Sequence, residues 1–362
     1  MTPQPDDAPA RPYRVGDPLP ILATGLRRLF DGSTCPETVH AGIISVVDGE
    51  GTEITALGPT TTPFPLRSTA KPFQLLPYLL DGLHGQSETP ELADLAVMEA
   101  SHAGEPMHTR RVADILARWR LGPQALQCGV HPPLHIPTQE AMLRAGTSPS
   151  PLHCNCSGKH AGMLAVCAHR GWPVESYLDA RHPLQRRIHA LLAVLTGRPE
   201  TALPHAIDGC SLPTFIVPVV ELARLFARLA WPEAAPPIEG RRVTGELGLL
   251  FAAATRHPEL VAGSGCLDTR LMQALRGRVF AKVGAGGLHA LAVAPGSEHP
   301  RGLGIAIKVA DGDWSSHVRS VVTTELLRQL GVTDAALESV GERRIVNLRS
   351  RVVGELAPAF RI

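Results

Sequence analysis

With 362 residues and 44% apolar side chains, the chain can bury a full core as one large α/β domain or as two smaller ones. Its formal charge is +1 and its arginines are scattered, which argues against nucleic acid and a polybasic membrane anchor and favours a small-molecule partner. The first twenty residues lack an export signal's cationic start and apolar stretch, no later run is long enough to span a bilayer, and the seven cysteines are odd in number and unevenly spaced; a cytoplasmic protein with reduced thiols is expected.

Residues 1–20 hold six prolines and little that could pack, so they read as a disordered leader. The β-branched runs of 41–57, around Asp48-Gly49-Glu50-Gly51, predict a hairpin. A helix is expected from Ser68, with apolar Phe73, Leu76 and Leu80 on one face and Pro72 tolerated in its first turns. Helical periodicity then dominates at 91–101, 107–120, 138–144, 159–169, 183–195, 218–230 and 245–256. Strands return at 279–283, 289–293 and 303–309, followed by a helix over 316–330 and a β-like stretch at 343–348. Strands at both ends of a helical middle predict an α/β fold with one sheet built from the two chain ends. The corresponding division is 21–75 with 240–362 as a discontinuous sheet domain and 76–239 as a mainly helical domain, with Pro-rich 231–238 as the link back.

Of the 35 cationic side chains only four are lysine: Lys71, Lys159, Lys282 and Lys308. A lysine kept in an arginine-rich chain marks a place where a neutral amine is useful, since lysine alone of the two loses its proton near neutral pH. Lys71 closes Ser68-Thr69-Ala70-Lys71, the S-x-x-K pattern of serine acyl-transfer enzymes, and Lys282 opens Lys282-Val283-Gly284, which resembles their K-T-G element. On a helix Ser68 and Lys71 share a face, giving a nucleophile and its base. Gly284 would let substrate approach the strand backbone. The second serine of such a site is Ser101, in Ala100-Ser101-His102-Ala103-Gly104-Glu105, with Ser157 as the alternative. Lys308, on a strand face with Ala306 and Ala310, reads as structural.

His153-Cys154-Asn155-Cys156-Ser157-Gly158-Lys159-His160 gathers candidate metal ligands, and Asp208-Gly209-Cys210 is the most turn-like source of a further one. A Cys thiolate with His160 as base is another option from the residues alone, and packing is the plainest reading of any one thiol. Cys35, Cys128, Cys167 and Cys266 are assigned to packing.

Taken in series, Arg67 to Gln74, Ser101 to Glu105, Asn155 to Met163, Asp208 to Cys210 and Lys282 to Ala285 resemble the asparaginase II family, the rhizobial-type L-asparaginases, over about 42–311. The resemblance implies a serine β-lactamase-like and glutaminase-like fold, hydrolysis of L-asparagine to aspartate and ammonia, and a homodimer. It implies two Ser-Lys tandems, Ser68 with Lys71 and Ser101 with Lys282, and a zinc ion held by Cys156, Lys159 and Cys210. His160 and Asp208 would serve the substrate's charged groups or support the metal ligands. Cys154, Ser211 and Gly286 depart from the family pattern, where asparagine, glycine and an acidic residue are more usual.

Overall fold

The computed structural model describes residues 16–85 and 92–362, so most of the expected leader and Glu91 lie outside the described residues. The main sheet contains β1 (Ile21–Arg28), β2 (Thr34–Asp48), β3 (Glu53–Leu57), β7 (Val279–Gly284), β8 (Leu288–Val293), β9 (Leu303–Val309), β10 (Arg344–Val346) and β11 (Val352–Pro358). Their order is β10-β11-β1-β2-β9-β8-β7, with β3 paired to β2 off this path, and every pairing is antiparallel. The two chain ends therefore meet in one sheet, through β1 beside β11 and β2 beside β9. A small second sheet, β4 (Pro63–Pro65), β6 (Pro213–Pro218) and β5 (His205–Ile207), ties the segment before Ser68 to the segment after Cys210.

The helices are α1 (Lys71–Gln74), α2 (Leu76–Leu80), α3 (Leu92–Met98), α4 (Pro106–Arg118), α5 (Ile136–Ala145), α6 (Ser157–Arg170), α7 (Pro183–Thr196), α8 (Val219–Ala230), α9 (Thr244–Arg256), α10 (Pro258–Val261), α11 (Leu267–Ala274), α12 (His317–Gln329) and α13 (Leu337–Val340). α8, at the end of the helical stretch, packs on β9, β8 and β2, and α12 lies on β11, β1 and β9. β8 and β9 are buried along almost their whole length, which is why they read as unbroken apolar runs rather than alternating ones. One continuous apolar cluster joins sheet and helices.

Several elements differ from their sequence expectation. The helix from Ser68 is a 3-10 turn over 67–70 followed by two short helices, because Pro72 and Pro77 each withhold a backbone donor. β1 gave no sequence signal, and the N-terminal half of β2 is mostly exposed and contains Pro36, so neither showed an apolar face. Their pairing carries register shifts, one of them at Gly25/Leu26 opposite Pro36. β11 was missed too, and its partner β1 lies some 330 residues away in sequence, beyond any local pattern.

Candidate active site

The turn carrying Ser68 is fixed from outside. Leu66 N–H donates to Phe215 C=O at 2.7 Å, Arg67 N–H donates to Thr214 Oγ1 at 3.0 Å, and Thr69 Oγ1 donates to Leu66 C=O at 2.6 Å. These bonds hold Arg67 at a φ of 51°, a left-handed conformation that costs a residue with a side chain roughly 1–3 kcal/mol and here turns Ser68 toward the pocket. β7 lies close against this turn. A Cβ on Gly284 would come 3.0 Å from both Thr69 Cγ2 and Leu288 Cβ, so this glycine serves strand-to-turn packing as well as the pocket wall.

Two lysines meet at one serine. Lys71 Nζ donates to Ala100 C=O at 2.5 Å, Ser101 Oγ at 2.9 Å and Asn155 C=O at 3.4 Å, while Lys282 Nζ lies 2.9 Å from the same Ser101 Oγ. Both lysines are buried. The sequence paired Ser68 with Lys71; in the structure Lys71 is bonded to Ser101, and Ser68 Oγ and Ser68 N–H have no hydrogen-bond partner among the described residues. Ser157, the alternative second serine, is fully buried, donates to Leu152 C=O and receives His102 Nε2–H, so it is structural. That tautomer follows because His102 Nδ1 accepts from Gly104 N–H.

Burial drives the Lys282 amine down to about 8; Asp268, 4.0 Å away, opposes that shift and the charge of Lys71 reinforces it. Asp268 is itself buried and is held ionised by His289 Nε2 at 3.1 Å, by Lys282 and by Val283 N–H at 2.8 Å, against the cost of desolvation. Glu99 is fully buried and neither carboxyl oxygen has a partner among the described residues, so burial raises its pKa well above the ordinary value despite the nearby positive charge of Lys282.

Behind Ser101 the thiols gather. Gly158, near the start of α6, sits so close to the last turn of α3 that a Cβ would fall 1.9 Å from Val97 C=O, and this contact brings Cys156 and Lys159 up behind the serine. Lys159 Nζ donates to Cys210 Sγ at 3.1 Å, and the thiols of Cys154 and Cys210 both hydrogen-bond to Cys156 and hold its pKa well below the ordinary thiol value. Burial works to lower the Lys159 amine, yet Cys156, Cys210 and Asp208 outweigh it and raise the pKa. Among the described residues no group of three or more His, Cys, Asp or Glu side chains is arranged to hold a metal. The two thiols need the lysine amine to form a three-donor set, and Cys156, Lys159 and Cys210 do come together, each 4–6% exposed. Asp208 is held by Arg67 Nε at 2.6 Å. His160 is fully buried, with Nδ1 on Tyr177 Oη at 2.7 Å and Nε2 unpartnered among the described residues, and neither it nor Asp208 lines the pocket. Lys308 anchors the β7–β8 turn through Gly286 C=O and lies over the Phe64 ring, a structural place.

The serines open into a pocket of about 620 Å³, also lined by Asn155, Cys266, Asp268, Gly284 and Arg319. A cavity of similar size, about 610 Å³ between α12 and α13, has Thr324 and Thr333 as its hydroxyl-bearing residues and no lysine in its lining, and so lacks an activated nucleophile.

The sequence profile of the L-asparaginase II family matches residues 31–358. The chain belongs to the L-asparaginase II family. Membership and the serine-lysine chemistry together make it an amidohydrolase. Among solved structures it is similar to a protein named Mglu (14% identity, 81% of this chain and 68% of that one, TM-score 0.46). It is also similar to a probable glutaminase from Bacillus subtilis complexed with 6-diazo-5-oxo-L-norleucine (12%, 81% and 84%, TM-score 0.40). A β-lactamase from Mycobacterium bovis is a third (17%, 80% and 94%, TM-score 0.39). At such scores nothing about the chemistry rests on these likenesses. A search of curated proteins returned no match. Among the described residues no helix is long and apolar enough to cross a membrane.

Sequence reasoning missed four residues of this family member's site: Arg67 as the clamp on Asp208, Asn155 as a backbone acceptor for Lys71, Asp268 beside Lys282, and Glu99. Asp268 stands in the first turn of α11, where an acid suits a helix start whatever its further role. For the others the partners are far apart in sequence, and no spacing rule connects them.

Proposed function

We propose that the chain is an L-asparaginase that hydrolyses L-asparagine to aspartate and ammonia by acyl transfer through Ser68. The observation that carries this reading is the Lys71–Ser101–Lys282 chain of hydrogen bonds opening into the pocket that Ser68 lines. Ser101 Oγ is occupied by two amines, whereas Ser68 Oγ is free to meet a substrate carbonyl. Lys71 points all three of its protons at acceptors, so it needs somewhere to send one before it can act as a base. Lys282, lowered to about 8, supplies that vacancy through the Ser101 hydroxyl. Ser68 Oγ attacks the side-chain carboxamide as its proton passes to Lys71. The Ser68 N–H supports the oxyanion, and Ser101 returns a proton to the departing nitrogen, which leaves as ammonia. Water then cleaves the Ser68 ester and releases aspartate, restoring the hydroxyl.

Family membership supports asparagine as substrate and zinc as the group held by Cys156, Lys159 and Cys210. Two thiols and a buried amine suit zinc, provided the amine is neutral, and arginine could not take its place. Bound there, zinc would supply a fixed positive charge and Lewis acidity beside the pocket wall. Asp208, clamped by Arg67, and His160, held by Tyr177, fall to supporting those ligands.

The test is ammonia release from asparagine and from glutamine, with and without a zinc chelator. Preferential turnover of asparagine is expected. Binding of asparagine with no ammonia at any zinc load would replace the enzyme with a zinc-dependent ligand sensor. Equal turnover of glutamine would remove the substrate assignment.

A further inference from the structure

Two thiols outside the proposed zinc set belong to the same cluster. Cys154 Sγ donates to Cys128 C=O at 3.4 Å, and Cys128 Sγ lies 3.7 Å from Pro151 C=O, the carbonyl that Cys154 N–H also meets at 3.2 Å. Both thiols are free and buried, in the region of the fold that also holds Cys156. Packing explains a single buried cysteine, but not two turned onto each other's stretch of backbone. Both outer thiols sit in irregular segments: Cys128 in the stretch between the short turn at 123–125 and α5, Cys154 in the turn before α6. Irregular backbone can shift to bring two sulfurs to bonding distance where a helix could not.

We propose that Cys128 and Cys154 are a peroxide-oxidisable pair that closes to a disulfide beside the active site. Cys128 is the first to react, being 6% exposed with exposed Gln127 and Gly129 on either side, whereas Cys154 is 2% exposed. The Cys128 sulfur attacks hydrogen peroxide as its thiol proton passes to the leaving hydroxyl and the O–O bond breaks, giving a sulfenic acid and water. The Cys154 sulfur then displaces the sulfenic oxygen as the S–S bond forms and the S–O bond breaks, and the oxygen leaves as water with the Cys154 proton. Two thiols lose two electrons and one peroxide gains them, yielding one disulfide and two waters. Cys154 could also pair with Cys156, but zinc on Cys156 would leave Cys128 as its only free partner. Transient disulfides of this kind are the form that occurs in reducing compartments.

Closure reaches the site through one tripeptide, Cys154-Asn155-Cys156. Asn155 C=O accepts from Lys71 Nζ and from His102 N–H, and Asn155 N–H donates to His131 Nε2 at 3.0 Å. Pulling Cys154 toward Cys128 shifts the neighbouring Cys156 and strains the carbonyl that holds Lys71. Formation of the disulfide is independent of what the enzyme hydrolyses; its effect on metal rests on the zinc site proposed above.

The experiment treats the zinc-loaded full chain with hydrogen peroxide, blocks remaining thiols, digests it and maps cross-linked peptides by mass spectrometry. A reductant-reversible Cys128–Cys154 linkage is expected. In Cys154→Asn and Cys154→Ser proteins the expected product is a trapped sulfenic acid on Cys128 with no disulfide. A different linkage, or no reversible product at Cys128 in the unsubstituted chain, overturns the pair. Zinc affinity of the oxidised form, read with a chromogenic chelator, should be weaker by roughly ten- to a hundredfold; equal affinity in the two forms overturns the coupling. A chain that forms the disulfide and binds no zinc in either form keeps the oxidisable pair and refutes the zinc site.

Discussion

The site contains two buried lysine environments, and they are opposites. Lys282 shares Ser101 with another lysine, and burial leaves its amine at about 8. Lys159 is just as enclosed, yet two thiols and Asp208 raise it. Burial alone therefore does not decide whether a lysine is a base; the sign of its nearest neighbours does. In the first environment the neutral amine is a property of the protein. In the second, the amine becomes a free donor only if something more positive than a proton takes its place among the thiolates, which is the chemistry a zinc ion provides.

The sharpest way to break this division of labour is to remove one serine at a time. Ser68→Ala should lower ammonia release by about 10⁴-fold or more, as loss of a nucleophile does, and leave bound zinc at wild-type stoichiometry. Ser101→Ala, which cuts the relay, should cost roughly 10²–10⁴-fold. If Ser68→Ala stayed near normal while Ser101→Ala was dead, the nucleophile would be Ser101 and the two lysines its joint activators.

The second environment is tested by Lys159→Arg and Cys210→Ala. Arginine preserves charge and length but offers no lone pair, so both variants should lose zinc affinity by about a hundredfold or more. Retention of wild-type zinc by Lys159→Arg would show that the amine is an ion-pair partner of the thiolates rather than a ligand.

How far these environments could be read from sequence differs in the same way. The Ser68-x-x-Lys71 and Lys282-Val283-Gly284 patterns are short and local, and the structure brings both lysines into one cluster with Ser101. Their pairing was not local. Which serine Lys71 touches depends on the close approach of α6 to α3 at Gly158 and on Asn155, and no periodicity encodes that. The thiol cluster was legible as a concentration of cysteines around 154–156, but the place of Cys128 at its outer end depends on a loop whose course follows no sequence rule. The fold divides similarly: buried β8 and β9 announced themselves, while β1 and β11 are defined by each other across the full length of the chain.

Glu99 extends the comparison to an acid. It is buried near Lys282 with no hydrogen-bond partner among the described residues, and its folded pKa is raised well above the ordinary 4.5. A carboxyl raised on folding leaves stability untouched below the unfolded pKa and costs stability as pH rises from there toward the folded pKa, since only the unfolded chain can ionise. Glu99→Met, similar in length and apolar, should therefore gain stability relative to the wild type progressively as pH rises above 4.5. Denaturant midpoints at several pH values check this. A gain that did not change with pH would mean that Glu99 ionises equally in both states.

The smallest effect bears most directly on Lys282. Only neutral Lys282 can receive the proton that frees Lys71, so kcat/KM for asparagine should rise with pH along a limb centred near 8. Asp268 raises the pKa of that amine, so Asp268→Asn should lower it and move the limb to lower pH by about one unit, equivalent to about 1.4 kcal/mol. Activity below pH 7 would then increase relative to wild type even if the maximum fell, because His289 loses its acceptor. The opposite displacement would mean that the working form of Lys282 is the ammonium, with its charge rather than its lone pair serving the reaction. Lys282 would then resemble Lys159 before metal arrives, and the two environments would differ in their partners alone.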